Sequence, residues 1–150
     1  MPVFLIHVVA CALMCGVIWE VQQIQYPMFK HIQSLPNNLF KTTVQFHVRR
    51  IQPIVGPAML IEGITAGLLL VTEPIFLPKW SLMFNFAVYI FTIALTGLVF
   101  VPMFTRLQQE GWSESLVKRL CNLNWIRTVA WTTRLIVLVI VGLKSSVRVL

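Results

Sequence analysis

The run from Trp125 to Leu143 is apolar except for threonine hydroxyls and two arginines, and one of these, Arg134, stands near its middle. A guanidinium at such a depth in hydrocarbon requires a partner inside the protein, so any fold of this chain must carry a carboxylate to it. Glu62, in the apolar segment Met59 to Leu70, lies at a matching depth and is the expected partner. At 1.5 Å of rise per residue, Glu62 sits about 16 Å from the start of its run and Arg134 about 15 Å from the start of its own.

Of 150 residues, 57% are hydrophobic and only 11% charged, against about a quarter charged in soluble domains. The chain is therefore read as an integral membrane protein. Apolar runs able to cross about 30 Å of hydrocarbon lie at residues 3–24, 51–71, 81–104 and 124–143. The expected fold is all-α: a polytopic four-transmembrane-helix bundle forming one domain over residues 1–150, with short cytoplasmic helical extensions.

Lys30, Lys41, Arg49 and Arg50 fall in the first connection and Arg106, Lys118 and Arg119 in the third, whereas the opposite side carries only Lys79, Lys144 and Arg148. The positive-inside rule places both long connections in the cytoplasm and both termini outside, in a bacterial-type inner membrane. The net charge of +7 is accounted for by this bias and by anionic headgroups, and no aromatic-basic motif points to nucleic acid. The first run lacks the basic flank of a cleavable signal peptide and is expected to remain as a span. Cys11 and Cys15 stack one turn apart with no CxxC spacing, so they are read as packing residues, with Cys121 isolated.

Along the chain, Asn37 or Asn38 is expected to cap a helix after Pro36. Pro53 and Pro57 are expected to kink the second helix, with the freed carbonyls satisfied inside. Gly63 and Gly67 form a GxxxG face on which a neighbouring backbone can approach. Glu73-Pro74 and Pro78-Lys79 mark a short turn, and Gly111 a helix stop, with Ser113 and Ser115 as following caps. No sequence repeat is visible, although the two helix–connection–helix halves have the layout that an old duplication leaves.

Polar residues in the last two runs are not scattered. Asn85, Tyr89, Thr92 and Thr96 fall within about 60° of one helix face, and Asn124, Arg127, Trp131 and Arg134 within about 80°, with Thr128 beside them. Both stripes should face protein. Glu20 and Arg127 each lie about 5 Å from the cytoplasmic interface, where His47 and Arg50 are expected to join them. The pattern predicts a deep Glu62–Arg134 pair and a shallower cluster.

The candidate catalytic residues are accordingly Glu20, His47, Arg127 and Arg134, and the candidate ligand-binding residues Glu62, Tyr89, Thr92, Asn124 and Trp131. The arginines suit an oxyanion or carbonyl, Glu62 orients Arg134, and Glu20 or His47, nearer water, handles protons. Trp131, one turn from both arginines, is placed to wall a flat ligand, while Trp19, Trp80, Trp125 and Tyr26 fit an interfacial belt. No cofactor or metal is expected. A bis-histidine haem joining His7 to His31 or His47 needs ligands in opposite leaflets, and a non-haem iron or manganese set of Glu20, His47 and Glu62 lacks a dense motif such as Glu-x-x-His. His7 is read as a packed or interfacial residue near the outer face.

Three stretches, Gly16-Val-Ile-Trp-Glu-Val-Gln-Gln-Ile-Gln-Tyr-Pro27, Pro57-Ala-Met-Leu60 and Arg119-Leu-Cys-Asn-Leu-Asn-Trp-Ile-Arg127-Thr128, resemble the small four-helix membrane proteins related to anthrone oxygenases. The likeness covers most of the chain in layout and only those stretches in residues. For a minority of that family it implies cofactor-independent oxidation of a polycyclic phenol. His7 with Tyr26-Pro-Met-Phe-Lys-His31 is more weakly similar to the membrane protoporphyrinogen oxidase type, whose third helix supplies a lysine that the run 81–104 here lacks.

The reading is of a bundle whose polar interior binds a small hydrophobic or aromatic molecule, with oxidation as the implied reaction. A non-catalytic accessory subunit of a membrane complex is the alternative, with the charges as register locks and the Gly63/Gly67 flank on a partner or a second copy. A small transporter is third. Membrane lipids are expected partners in every case. The orientation is directly testable: in intact cells a Ser34→Cys variant should escape an impermeant thiol reagent, and its labelling would reverse the assignment.

Overall fold

Hydrocarbon offers no partner to a backbone N–H or C=O, so a spanning chain of this composition keeps those bonds within helices. The computed structural model, which describes residues 2–147, consists of α1 (Pro2–Glu20), α2 (Tyr26–His31), α3 (Asn37–Thr72), α4 (Lys79–Leu95), α5 (Val101–Glu110) and α6 (Glu114–Val147). A π turn, Val21–Gln25, joins α1 to α2, and another, Thr96–Phe100, joins α4 to α5. The result is four rods long and apolar enough to cross a membrane. This is a multi-pass membrane protein.

The α1 rod packs on α3 and α6, and α4 packs on the same two, so the rods stand in the cyclic order α1, α3, α4, α6 with every neighbour antiparallel. Helix α3 has 36 residues and α6 has 34, lengths of roughly 54 and 51 Å against about 30 Å of hydrocarbon. The excess projects at the end that carries both long connections and most of the Lys and Arg, the basic end; the other is the turn end. A second apolar core fills this projection, built from Phe29, Phe40, Val44, Leu107, Leu116 and Leu120. It holds together the helical extensions expected from the sequence.

Each π turn has a proline behind it. Pro27 and Pro102 lack an N–H, and their rings crowd the carbonyls four residues back, at Gln23 and Leu98, which lie inside the two π turns. Widening the helix there relieves the overlap. The two places also share the tripeptide Pro-Met-Phe, at Pro27–Phe29 and Pro102–Phe104. Helix α3 runs on through Pro53 and Pro57, both of them exposed.

At the turn end, Glu73 ends α3 in a left-handed conformation (φ 37°), with its N–H donating to the Leu69 carbonyl at 3.1 Å. Lys79 begins α4 and pairs with Glu73 at 2.6 Å. The third rod thus does contain a lysine, but at its exposed tip. At the basic end Asn37 does not cap α3: its Nδ2 donates to the Glu110 carbonyl (3.2 Å) and its Oδ1 accepts from the Trp112 N–H (3.0 Å). Asn38 Oδ1 instead accepts from the adjacent Leu39 N–H. Asn37 therefore clamps the start of one rod to the α5–α6 turn. That turn depends on Gly111 at φ 94°, where a Cβ would overlap the Asn37 amide.

Gly111→Ala should destabilise the bundle in detergent by about 1–3 kcal/mol, since it adds left-handed strain to a broken clamp. Thermal unfolding of Gly111→Ala, Asn37→Ala and the double variant separates the terms. If the double variant is as stable as Asn37→Ala alone, the strain at Gly111 is not real.

Candidate functional site

All four rods contribute to one buried polar cluster in the middle of the bundle. Glu62 of α3 and Arg134 of α6 are both fully buried, with Arg134 Nη1 2.8 Å from Glu62 Oε1. The pair inferred from depth alone is present. Trp131, one turn earlier on α6, donates its indole N–H to both Glu62 oxygens at 3.2 Å, and Cys11 of α1 lies beside the same carboxylate. The Tyr89 ring of α4 covers the guanidinium, its centroid 5.5 Å from Cζ.

Charge on the carboxylate is thus met from several sides, but the guanidinium is served less well. Nη1 is held against Glu62 Oε1, and among the described residues Nε and Nη2 have no acceptor. A guanidinium carries five donors in a fixed fork, so this one retains unused capacity for an anionic or carbonyl oxygen.

His7 adds the complementary capacity. Thr65 Oγ1 gives its hydrogen to the Ile61 carbonyl (2.7 Å) and therefore accepts from His7 Nδ1–H (2.8 Å). That bond fixes the tautomer and leaves the Nε2 lone pair buried, with no donor among the described residues. Of the packed and interfacial alternatives His7 takes the packed one, 1% exposed and one helical turn from Cys11. The sequence held a signal for this: His7, Cys11 and Cys15 recur every four residues, a second polar edge facing α3 and α6.

Other predicted site residues divide differently from expectation. Glu20 and Arg127 do not meet. Arg127, about 10 Å along α6 from Arg134, stacks its guanidinium on Phe100 at 4.3 Å and lies 5.7 Å from the Trp131 ring. The Tyr26 phenol sits beside it, 2% exposed, so Tyr26 belongs to the interior and not to the interfacial belt. Both partners come from the segments that the π turns reshape. Those turns swing Tyr26 and Phe100 inward, which no straight-helix projection anticipates.

Glu20 is on the outside of α1, where its Oε1 accepts from Gln25 Nε2 (2.9 Å), and Gln25 Oε1 in turn accepts from His47 Nδ1 (2.9 Å). His47 lies in an aromatic box, its ring centroid 5.6 Å from Phe29 and 5.7 Å from Phe104, the phenylalanines of the two Pro-Met-Phe stretches. The members of the mixed carboxylate–imidazole set are consequently divided, with Glu20 and His47 near the basic end and Glu62 in the middle. Asn124 also stands apart from the deep pair, about 15 Å from Arg134 along α6, donating to Gln22 Oε1 at 2.9 Å. Thr92 is buried beside Tyr89 and gives its hydroxyl hydrogen to the Tyr89 carbonyl.

Tyr89 itself donates to the Met59 carbonyl (3.0 Å) and lies directly over Gly63, where any Cβ would overlap its phenol. The glycine face is therefore half used within the chain: Gly63 seats Tyr89, while Gly67 faces open space. Trp19 and Trp125 do form an exposed edge-to-face pair, centroids 5.7 Å apart, as an interfacial belt requires.

No family model, curated protein or solved structure matches the chain.

Removing one member of a buried ion pair leaves an uncompensated charge, so Arg134→Leu should cost about 3–5 kcal/mol, and Arg134→Leu with Glu62→Leu should recover much of that. Unfolding of the wild type, both single variants and the double variant in one detergent gives the coupling. Additive losses would show that the contact carries no mutual stabilisation.

Proposed function

We propose that this protein binds a small aromatic or hydrophobic molecule bearing an anionic or carbonyl oxygen in the middle of its bundle. It does so in a bacterial-type inner membrane, with the basic end in the cytoplasm and both termini outside. The observation that carries this reading is the Arg134 guanidinium, fully buried, with Nε and Nη2 lacking an acceptor among the described residues. In a low-dielectric interior such a group attracts an oxyanion far more strongly than it would in water. Glu62 balances its charge and sets its position, Trp131 holds Glu62, and Tyr89 covers the guanidinium as one aromatic wall.

The unpaired His7 Nε2 suits a phenolic or acidic C–H proton, because it is an acceptor at the depth of the oxyanion-binding donors. In the oxidative form of the reading, which follows the resemblance to anthrone oxygenase-like proteins, a CH2 group activated by a neighbouring carbonyl loses a proton to His7. The resulting enolate is held by Arg134. Dioxygen then accepts its electrons, and loss of water leaves a second carbonyl, so that CH2 and O2 become C=O and H2O. No resident metal or haem is needed for that balance. His7 returns the proton it took to the departing peroxide oxygen, so both hydrogens of the CH2 leave as water, while Arg127 provides a second cation further along α6.

The accessory-subunit reading has its own support, since Glu62, Arg134, Trp131, His7 and Thr65 tie three rods together and Tyr89 adds the fourth. A register lock needs the charge of Arg134 but not its forked donors. Arg134→Lys therefore distinguishes the two. Mass spectrometry of protein purified from native membranes should find a bound aromatic compound in the wild type, reduced about tenfold or more in Arg134→Lys and His7→Leu with folding retained. If no such compound is found, and Arg134→Lys behaves as wild type while charge-removing variants lose a partner protein, the accessory-subunit reading replaces this one.

A further inference from the structure

A groove of about 740 Å³ runs between α1 and α3 at the basic end, on the outside of the bundle. Its volume falls within the roughly 300–1,000 Å³ of ordinary ligand sites. Along the membrane side its walls are apolar, formed by Ala12, Leu13, Gly16 and Val17 of α1 and by Ile51 and Ile54 of α3. Where the apolar runs end, the lining changes to Glu20, Gln25, His47 and Arg50. An apolar channel ending in a polar rim has the shape of an amphiphile with its chain along the helices and its head at the interface.

The rim selects the head. Glu20 and Arg50 place one carboxylate and one guanidinium on the same groove, and among the described residues Arg50 has no carboxylate within ion-pair distance. Its guanidinium is instead steadied over the Phe46 ring, 5.3 Å from the centroid. Glu20 is held through Oε1 by Gln25, which is itself fixed by His47, so Oε2 is left for a donor outside the protein. A wholly anionic head would satisfy Arg50 and be repelled by Glu20. A quaternary ammonium would meet Glu20 without an N–H to give it.

We propose that this groove is a site for a phosphatidylethanolamine-type phospholipid, with its phosphate on Arg50, its primary ammonium on Glu20 and an acyl chain along Ala12, Gly16 and Ile54. This is independent of the Arg134 site and holds whether or not that site binds anything. Gly16 gives a direct handle, because it lines the groove and a Cβ there meets no protein atom within 4 Å, so a side chain can start from it into the groove.

The test is native mass spectrometry of the full chain in nanodiscs made with equal amounts of phosphatidylethanolamine, phosphatidylcholine and phosphatidylglycerol. The wild type should retain phosphatidylethanolamine over the other two by about tenfold, the scale of one charge-assisted hydrogen bond. Glu20→Gln should abolish the preference over phosphatidylcholine, Arg50→Leu should lower retention of all three, and Gly16→Phe should clear the groove while leaving thermal stability unchanged. Equal retention of the three lipids by the wild type, or undiminished phosphatidylethanolamine on Gly16→Phe, overturns the proposal. So does selective retention of phosphatidylglycerol that Glu20→Gln strengthens, which would make this an anionic-lipid site.

Discussion

A carboxylate and a guanidinium, both wholly removed from solvent, face each other at the centre of this bundle, and much of the surrounding architecture follows from keeping that tolerable. Desolvating either charge costs several kcal/mol even after relaxation, and mutual attraction offsets this only with further hydrogen bonds. The carboxylate has them: Trp131 gives one N–H to both oxygens of Glu62, and Cys11 stands close by. Tyr89 covers Arg134 because Gly63 lets its phenol sit against the α3 backbone. His7 and Thr65 fix α1 against α3 within one turn of the same carboxylate. Small residues, an indole and a histidine tautomer are all arranged around one ion pair.

The cluster is asymmetric. The carboxylate is well served, whereas Nε and Nη2 of the guanidinium and Nε2 of the imidazole on a neighbouring rod have no partner among the described residues. The guest proposed above, with an acidic proton and an oxyanion, is the complement of those groups.

The two π turns organise the half of the bundle nearer the basic end. By widening α1 and α4 just ahead of Pro27 and Pro102, they bring Tyr26 and Phe100 onto Arg127, and Phe29 and Phe104 onto either side of His47. The same distortion places Gln22 on Asn124. A polar column consequently runs along α6 from Arg134 through Trp131 and Arg127 to Asn124, with a different set of neighbours at each level. The exterior carries its own pattern, since Glu20 and Arg50 mark the head of an apolar groove on the lipid-facing side.

The number of spans and the Glu62–Arg134 pairing were legible in the residues alone. Hydrophobic run length and the intolerance of hydrocarbon for a lone charge are properties of the chain that no packing detail can alter. The inward stripes Asn85–Thr92 and Asn124–Arg134 were legible for a similar reason, helical periodicity. The identity of the cluster's other members was not, because it depends on which face of α1 turns inward and on how far the π turns rotate the segments beyond them. Tyr26 moved from the interfacial belt to the interior, and Glu20 away from Arg127 to the outside of the bundle. Of the two asparagines expected at the start of α3, Asn38 accepts from the Leu39 N–H, while Asn37 bonded across to the α5–α6 turn, since Gly111 brings that backbone within reach. One-dimensional rules count residues along a regular helix, so they hold where the helices stay regular and lapse where a proline four residues on makes the backbone step out of register.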